Sequence, residues 1–496
     1  MDVGNARPES EEATICQLAR LGDLAQTLPL MKRLGDCRAT LICDKAAEQW
    51  ARQLPGVHDI LSLDTQSWRA ACTDNFGDLS GLFERLRGDV SRFSGDHGKR
   101  FFALNDHPAA NALAVFACLD DARRWVTRNL VLMRSYVRLI ASLHLWNRIH
   151  LADLWASLTH DGVPMQVPPI LASKAAIQFA KTILGDSKSG RDQRICAVIL
   201  GSGSPHRRIE PEAFAEWFAA LPAQIRPEIV LLGGGGQQEL AGRFLDGVRT
   251  RVSGVVNLAG KCSPEELVGV LAAVDLVLGV DTGPLHWAAL AGTQALGLYF
   301  GEAGFHDTGP YGDGHLVLAP DCPQYPCSPQ KARTCGWRCR QAYQNICAMA
   351  DLLAAILQKQ SAATLPVMPG LKLHASRLTP SGNEYRACGQ ANESDEFEPC
   401  AHLARRSLGL SSSGQSDALL DSDNRPVREN LELFYQVWKS EIEQLRFPAA
   451  VPRLVQDEAK NQAVRQLTEA REAFGFHEYP AAKRRIFSAE PAAIGA

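Results

Sequence analysis

Short apolar runs alternating with amphipathic stretches dominate the chain from Thr14 to about residue 360. The run Thr14-Ile-Cys-Gln-Leu-Ala19 predicts a strand, Arg20-Leu21-Gly22-Asp23 a loop, and the stretch to about Leu34 a helix, with a second strand over 39–43. Strand, glycine loop, helix, strand is the opening of a parallel α/β sheet, because parallel neighbours need a crossover that is usually helical. Further strands are predicted at 59–63 and 100–105.

A second run of the same kind starts near Arg194. Residues 195–200 are continuously apolar, as a strand covered on both faces should be, and break at Gly201-Ser202-Gly203-Ser204 before a helix over 211–221. Strands at 228–232, 254–258, 276–280 and 295–300 follow. The expected fold is α/β, two Rossmann-like domains facing a cleft and divided between 164 and 192, with ligands beyond the carboxyl ends of the strands. Residues 359–496 form a C-terminal extension: 361–423, rich in Ser, Gly, Pro, Asn and acids, reads as irregular, and 426–446 and 456–474 read as helices. The stripe Leu431, Phe434, Val437, Trp438, Ile442 and Leu445 would dock on the main body or on a partner.

Composition narrows the classes. With 496 residues, 46% hydrophobic, 22% charged and a formal net charge of -3, the chain is neither disordered throughout nor a nucleic-acid binder driven by bulk charge. It has no apolar run of roughly 18 residues, and residues 1–12 are acidic and polar where a signal peptide would be basic and then apolar, so a cytoplasmic protein is expected. Of 14 cysteines, those such as Cys16, Cys43 and Cys196 lie in patterned segments and read as reduced core residues. Cys322, Cys327, Cys335, Cys339 and Cys347 cluster in sequence. Their gaps are not those of paired Cys-x2-Cys knuckles, which leaves structural zinc, disulfides and free thiols as open readings.

Residues 122–152 carry Arg123, Arg124, Arg128, Arg134, Arg138 and Arg148, no acidic residue, and interleaved Trp125, Leu132, Tyr136, Leu139, Leu143 and Trp146. Such a stretch can rest peripherally on the anionic inner membrane or receive an acidic lipid acceptor, or it can be helices packed on the first domain with solvated arginines.

The most informative stretch lies between 257 and 289. After Asn257-Leu-Ala-Gly260 and an amphipathic helix over 264–274, a strand ends at Val280, Asp281-Thr282-Gly283 turn, and Pro284 suits the first position of a helix running to about Leu290. Free N–H groups at a helix start attract phosphate. Asp281 could accept from sugar hydroxyls, Thr282 and Gly283 let the backbone approach a diphosphate, and His286 lies one turn on; an ordinary capped helix with a buried histidine is the alternative.

The series Asn257-Leu-x-Gly260, Asp281-Thr-Gly-Pro-x-His286-x-Ala-Ala289, Phe300-Gly301 and Gly309-Pro-Tyr-Gly312 resembles the ADP-heptose:lipopolysaccharide heptosyltransferases of glycosyltransferase family 9. Arg20-Leu-Gly-Asp23 with Thr27-Leu-Pro29 is similar to that family's first loop, and Gly201-Ser202-Gly203-Ser204 with Arg207, Arg208 and Phe214 to its donor-phosphate loop. The resemblance covers about 13–357 and is strongest from 255 to 312. It implies a GT-B fold with an acceptor domain at 1–175 and a nucleotide-sugar donor domain at 176–358, inversion at the anomeric carbon, and no required metal or other cofactor.

Displacement at a sugar carbon needs a base for the acceptor hydroxyl and positive groups for the departing diphosphate. The resemblance makes Asp23 the base, although an Asp in that loop can also cap the following helix. It places Ser202, Gly203, Arg207, Arg208, Thr282, Gly283 and His286 on the diphosphate and Asp281 on the sugar. Arg207 stands where the family has a lysine, and arginine keeps the charge and adds bidentate geometry. Gln237 stands near a nucleoside-contacting glutamate of the family, and Gly301-Glu-Ala-Gly-Phe305 replaces its Gly-Pro-Thr-Asp-Pro. Asp421-Ser-Asp423, in the Ser-rich tail, reads as a solvated acidic loop rather than a metal site.

The expectation is an inverting transferase moving heptose from ADP-heptose to a lipopolysaccharide-core or other glycan or glycolipid acceptor. The alternatives are a relative using another nucleotide sugar and a protein or surface-polymer acceptor, and a catalytically silent nucleotide-sugar-binding protein.

Overall fold

Two parallel sheets arise from the apolar runs, and a computed structural model describes residues 12–66, 100–105, 108–118, 121–159, 169–185, 193–203, 205–248, 252, 254–389, 397–410, 425–449 and 451–472. Asp421 to Asp423, Ser204 and the interdomain stretches 160–168 and 186–192 lie outside the described residues. The first sheet contains β1 (Glu12–Gln17), β2 (Arg38–Asp44), β3 (Val57–Leu63) and β4 (Arg100–Ala103), all parallel in the order β3-β2-β1-β4.

The second sheet holds β5 (Ile195–Ile199), β6 (Glu228–Leu232), β7 (Val255–Asn257), β8 (Leu276–Val280), β9 (Gln294–Leu298) and β10 (Leu316–Pro320), parallel in the order β10-β9-β8-β5-β6-β7. Along β5, Ile195, Ala197 and Ile199 pack into one core while Cys196 and Val198 pack into another, so both faces of the strand are covered. That is why its sequence is apolar without alternation. In each sheet the strand order reverses next to the first strand, between β1 and β4 and between β5 and β8. Such a switch point opens a crevice at the carboxyl ends, where ligands bind.

The extension departs from its expected irregularity. Within 361–423, β11 (Leu371–Thr379) and β12 (Gly382–Ala387) form a hairpin that adds antiparallel to β10, with Leu373 opposite Leu318. The helices Arg425–Gln444 and Arg453–Glu472 dock on the main body, against the helix Arg128–Ser142. Buried Trp438 donates from its indole to Ser135 Oγ (2.9 Å) and meets Tyr136 edge-on with ring centroids 5.2 Å apart.

The arginine-rich stretch 122–152 takes part in this docking. Arg138 pairs with Glu441 (2.7 Å), Arg123 with Glu458 (3.2 Å), and Arg134 donates to Asn111 (2.8 Å). Trp146 stacks on Phe397 and Phe434, and Arg148 lies over Phe397. The stretch is therefore packed beneath the extension, with Trp125, Leu132, Tyr136 and Leu139 buried and two of its arginines matched by tail glutamates. No helix of the described residues is long and apolar enough to cross a membrane.

Candidate functional site

The loops after β1 and β8 meet. The short helix Leu21–Ala25 follows β1, and the helix Gly283–Leu290 follows β8, its first turn preceded by Thr282 in an extended conformation and opened by Gly283-Pro284. Trp287 donates its indole N–H to the Leu21 carbonyl (3.2 Å) and packs on Trp50 with ring centroids 4.8 Å apart. Both glycines at this junction are closely covered, Gly22 more tightly than Gly283. A Cβ on Gly22 would stand 2.7 Å from His286 Cδ2, and one on Gly283 3.1 Å from Leu21 Cβ. Gly22→Ala is therefore expected to displace the His286 ring at a cost of about 1–3 kcal/mol, read as a lower urea midpoint at unchanged m-value.

This contact brings Asp23 and His286, from opposite halves of the chain, to one place. The Asp23 carboxylate accepts the Arg20 N–H (3.0 Å), a local cap. Burial raises its pKa above the ordinary value, against the lowering effects of that hydrogen bond and of the His286 and Arg20 charges; the nearby Asp281 carboxylate adds to the rise. Asp23 thus caps its own helix and lies near His286 and Asp281 of the second half.

Asp281, just past β8, is the hub of the second sheet's switch point. It accepts from Arg207 Nη1 (3.2 Å) and Thr308 Oγ1 (3.3 Å), and His286 Nε2 lies 3.6 Å from it. Burial alone would raise its pKa, but His286, then Arg207 and Thr308, hold its carboxyl below the usual range. His286 is 5% exposed, and its Nδ1 has no hydrogen-bond partner. Arg207, in the 3-10 turn after β5, also lies 3.5 Å through Nε from Glu302 in the loop after β9. Since β5, β8 and β9 are consecutive in the sheet, their carboxyl-end loops necessarily converge.

The remaining expected residues flank this centre. Ser202 is buried, and its carbonyl accepts from Arg208 Nη2 (3.0 Å), so Arg208 braces the loop that carries Gly203. Gln237 follows β6; its side chain covers Gly201 and accepts the Gly234 N–H (3.1 Å). Thr308, Glu302 and Trp337 were missed by sequence reasoning. Glu302 was visible only as part of an altered loop, and nothing local marks Thr308 or Trp337 as neighbours of Asp281 and Glu302.

The cysteine segment lies beside the site, Cys327 being close to Glu302 and hydrogen-bonded to Gly301. Burial first, then the charges of Cys335, Cys339, Glu302 and Cys322, push the Cys327 thiol up to about 11, which puts four of the five cysteines in one neighbourhood. Cys347 is exposed, and all five are free thiols. Among the described residues no group of three or more His, Cys, Asp or Glu side chains is arranged to hold a metal ion.

Two parallel sheets with facing switch points, joined by loops rich in glycine, carboxylate and arginine, define a GT-B type α/β protein. Residues 121–339 match the family described as glycosyltransferase family 9 (heptosyltransferase). That span holds Arg207, Asp281, His286 and Glu302, while Asp23 precedes it. The lipopolysaccharide core heptosyltransferase OpsX of Haemophilus influenzae is 46% identical over 43 residues, 9% of this chain and 12% of that protein. Among solved structures, the Escherichia coli ADP-heptose lps heptosyltransferase II is 16% identical with a TM-score of 0.44, covering 60% of this chain and 87% of its own. The family 9 glycosyl transferase of Veillonella parvula is 16% identical with a TM-score of 0.48, covering 66% and 89%.

Proposed function

We propose that the protein is an inverting glycosyltransferase that moves a sugar, heptose from ADP-heptose, to a lipopolysaccharide-core or other glycan acceptor. The observation that carries this reading is the meeting of Asp23 from the first half with Asp281, His286 and Arg207 from the second, at the facing switch points. Asp23 takes the proton from the acceptor hydroxyl as oxygen attacks the anomeric carbon. The bond from that carbon to the diphosphate oxygen breaks on the opposite face, which inverts the centre. The departing diphosphate gains negative charge, and Arg207 with the backbone N–H groups around Gly283 supplies compensating charge and hydrogen bonds already oriented by the fold. No step in this scheme requires a metal.

Glu302 favours a second reading for the donor. It brings a carboxylate to Arg207 in the loop where the sequence departs from the family's pattern, which supports a nucleotide sugar other than ADP-heptose. A panel of ADP-, UDP- and GDP-sugars including ADP-heptose, assayed for hydrolysis and transfer with binding measured in parallel, tests both. Turnover of ADP-heptose alone is the expected result, turnover of another donor alone selects the second reading, and binding without turnover on any glycan acceptor would point to a silent binder.

A further inference from the structure

Arg207 carries two carboxylates before any donor arrives. Its Nη1 donates to Asp281 and its Nε faces Glu302 Oε1 at 3.5 Å, so this cationic side chain is already matched by two anions. A diphosphate that approached with both in place would meet net repulsion in a partly buried site. One carboxylate has to yield. Asp281 is held by Thr308 and His286 as well, and its side chain is 13% exposed. Glu302 is 23% exposed, has a longer side chain, and among the described residues is otherwise tethered only by the Trp337 indole, which donates to its Oε2 at 3.4 Å.

Trp337 is itself fixed unusually well. It sits in the left-handed region at φ 50°, stacks on His206 with ring centroids 4.2 Å apart and planes 2° from parallel, and fills the space against Gly301, where a Cβ would come within 2.8 Å of it. A bulky residue pays strain for that backbone conformation and keeps it only where the surroundings enforce it. The Cys327 N–H donates to the Gly301 carbonyl (3.0 Å), so the cysteine-rich segment is fastened to the same loop from a second side. The segment thus holds the far oxygen of Glu302 while the near oxygen faces Arg207.

We infer that Glu302 is a positioning residue that occupies Arg207 in the free protein and competes with the donor's diphosphate for it, Trp337 retaining the carboxylate when it yields. The inference rests on the donor reading above. It makes donor affinity, rather than the chemical step, the quantity that Glu302 sets.

Calorimetric titration of ADP, UDP and GDP into the full chain and into Glu302→Gln, Arg207→Gln and the double variant tests it. Glu302→Gln, close to isosteric, is expected to lower the Kd of whichever nucleoside diphosphate binds by about tenfold and to lower donor KM with little change in kcat. In the Arg207→Gln background the same change should give no gain, because there is no cation left to release. Glu302→Ala and a thermal unfolding curve of each variant guard against a folding defect: a gain shared by Gln and Ala at unchanged Tm supports competition. Wild-type binding with equal or weaker binding by both Glu302 variants overturns this inference alone, as does a gain that persists without Arg207. No nucleotide binding by any of the proteins overturns the donor reading and this inference with it.

Discussion

Asp23→Asn is expected to lower kcat of transfer by about 10³-fold, the usual scale for removing a general base, and to leave the donor Kd unchanged or slightly improved. Asparagine keeps the shape and can still accept the Arg20 N–H through its Oδ1, so the cap and the loop survive while the proton acceptor is lost. It also removes a negative charge that lies close enough to Asp281 to raise the pKa of Asp23, and donor phosphates would feel that relief too. The pH profile adds a second readout. Burial raises this carboxyl above the usual range, so wild-type kcat/KM should fall in acid through a pKa higher than that of an ordinary aspartate, and the residual activity of the variant should lack that limb. Transfer and donor binding measured side by side decide it: a variant with more than about a tenth of wild-type kcat, or one that loses binding in proportion to turnover, would make Asp23 a helix cap and nothing more.

The parts of the molecule legible in the sequence are those whose physics is local. β6 and β8 were predicted over their observed spans because strands buried on both faces are apolar throughout and end at glycine or aspartate turns. Pro284 after Asp281-Thr282-Gly283 announced a helix start, and the observed helix begins at Gly283. The hairpin of β11 and β12 was hidden because a window rich in Ser, Gly and Pro was judged by composition. The alternation of Leu371, Leu373 and Ala375 and the Pro-Ser-Gly turn after Thr379 were the signals that could have found it. The arginines of 122–152 could not be resolved in sequence between lipid and protein partners, since Glu441 and Glu458 lie about 300 residues away. At the site, the sequence named Arg207 and Asp281 but not their mutual pairing, which depends on β5 and β8 being neighbours although β6 and β7 intervene along the chain.

Acid sensitivity through His150, which links the first half of the chain to Gly309 in the second, is the second large effect expected. His150 begins the helix Leu151–Ala156 and is fully buried; its Nδ1 accepts the Ala152 N–H (3.1 Å) and its Nε2 lies 2.9 Å from the Gly309 carbonyl. One nitrogen must accept and the other donate, so the neutral ring with its proton on Nε2 satisfies both, while a second proton would destroy the contact to Ala152. Burial drives the pKa down to about 3, the Gly309 bond opposes that shift, and the His286 charge adds to it. Because the folded value lies below the unfolded one, the stabilisation is complete above about pH 6.5 and is lost as pH falls toward the folded pKa, on the order of 5 kcal/mol over the whole interval. His306 is depressed in the same direction and His315 to about 4, so absolute stability falls for more than one reason and the informative quantity is a difference. His150→Asn keeps an acceptor for the Ala152 N–H but cannot span to Gly309, and should cost about 1–3 kcal/mol near neutral pH. In urea titrations at about pH 7.5 and about pH 5, the gap between wild type and variant should narrow by about 2 kcal/mol at the lower pH, since only the wild type then carries the penalty of keeping this ring neutral. A gap that stays constant would mean that His150 is protonated or solvated in the folded protein, and the hydrogen bond it forms between the two halves of the chain would then have to be redrawn.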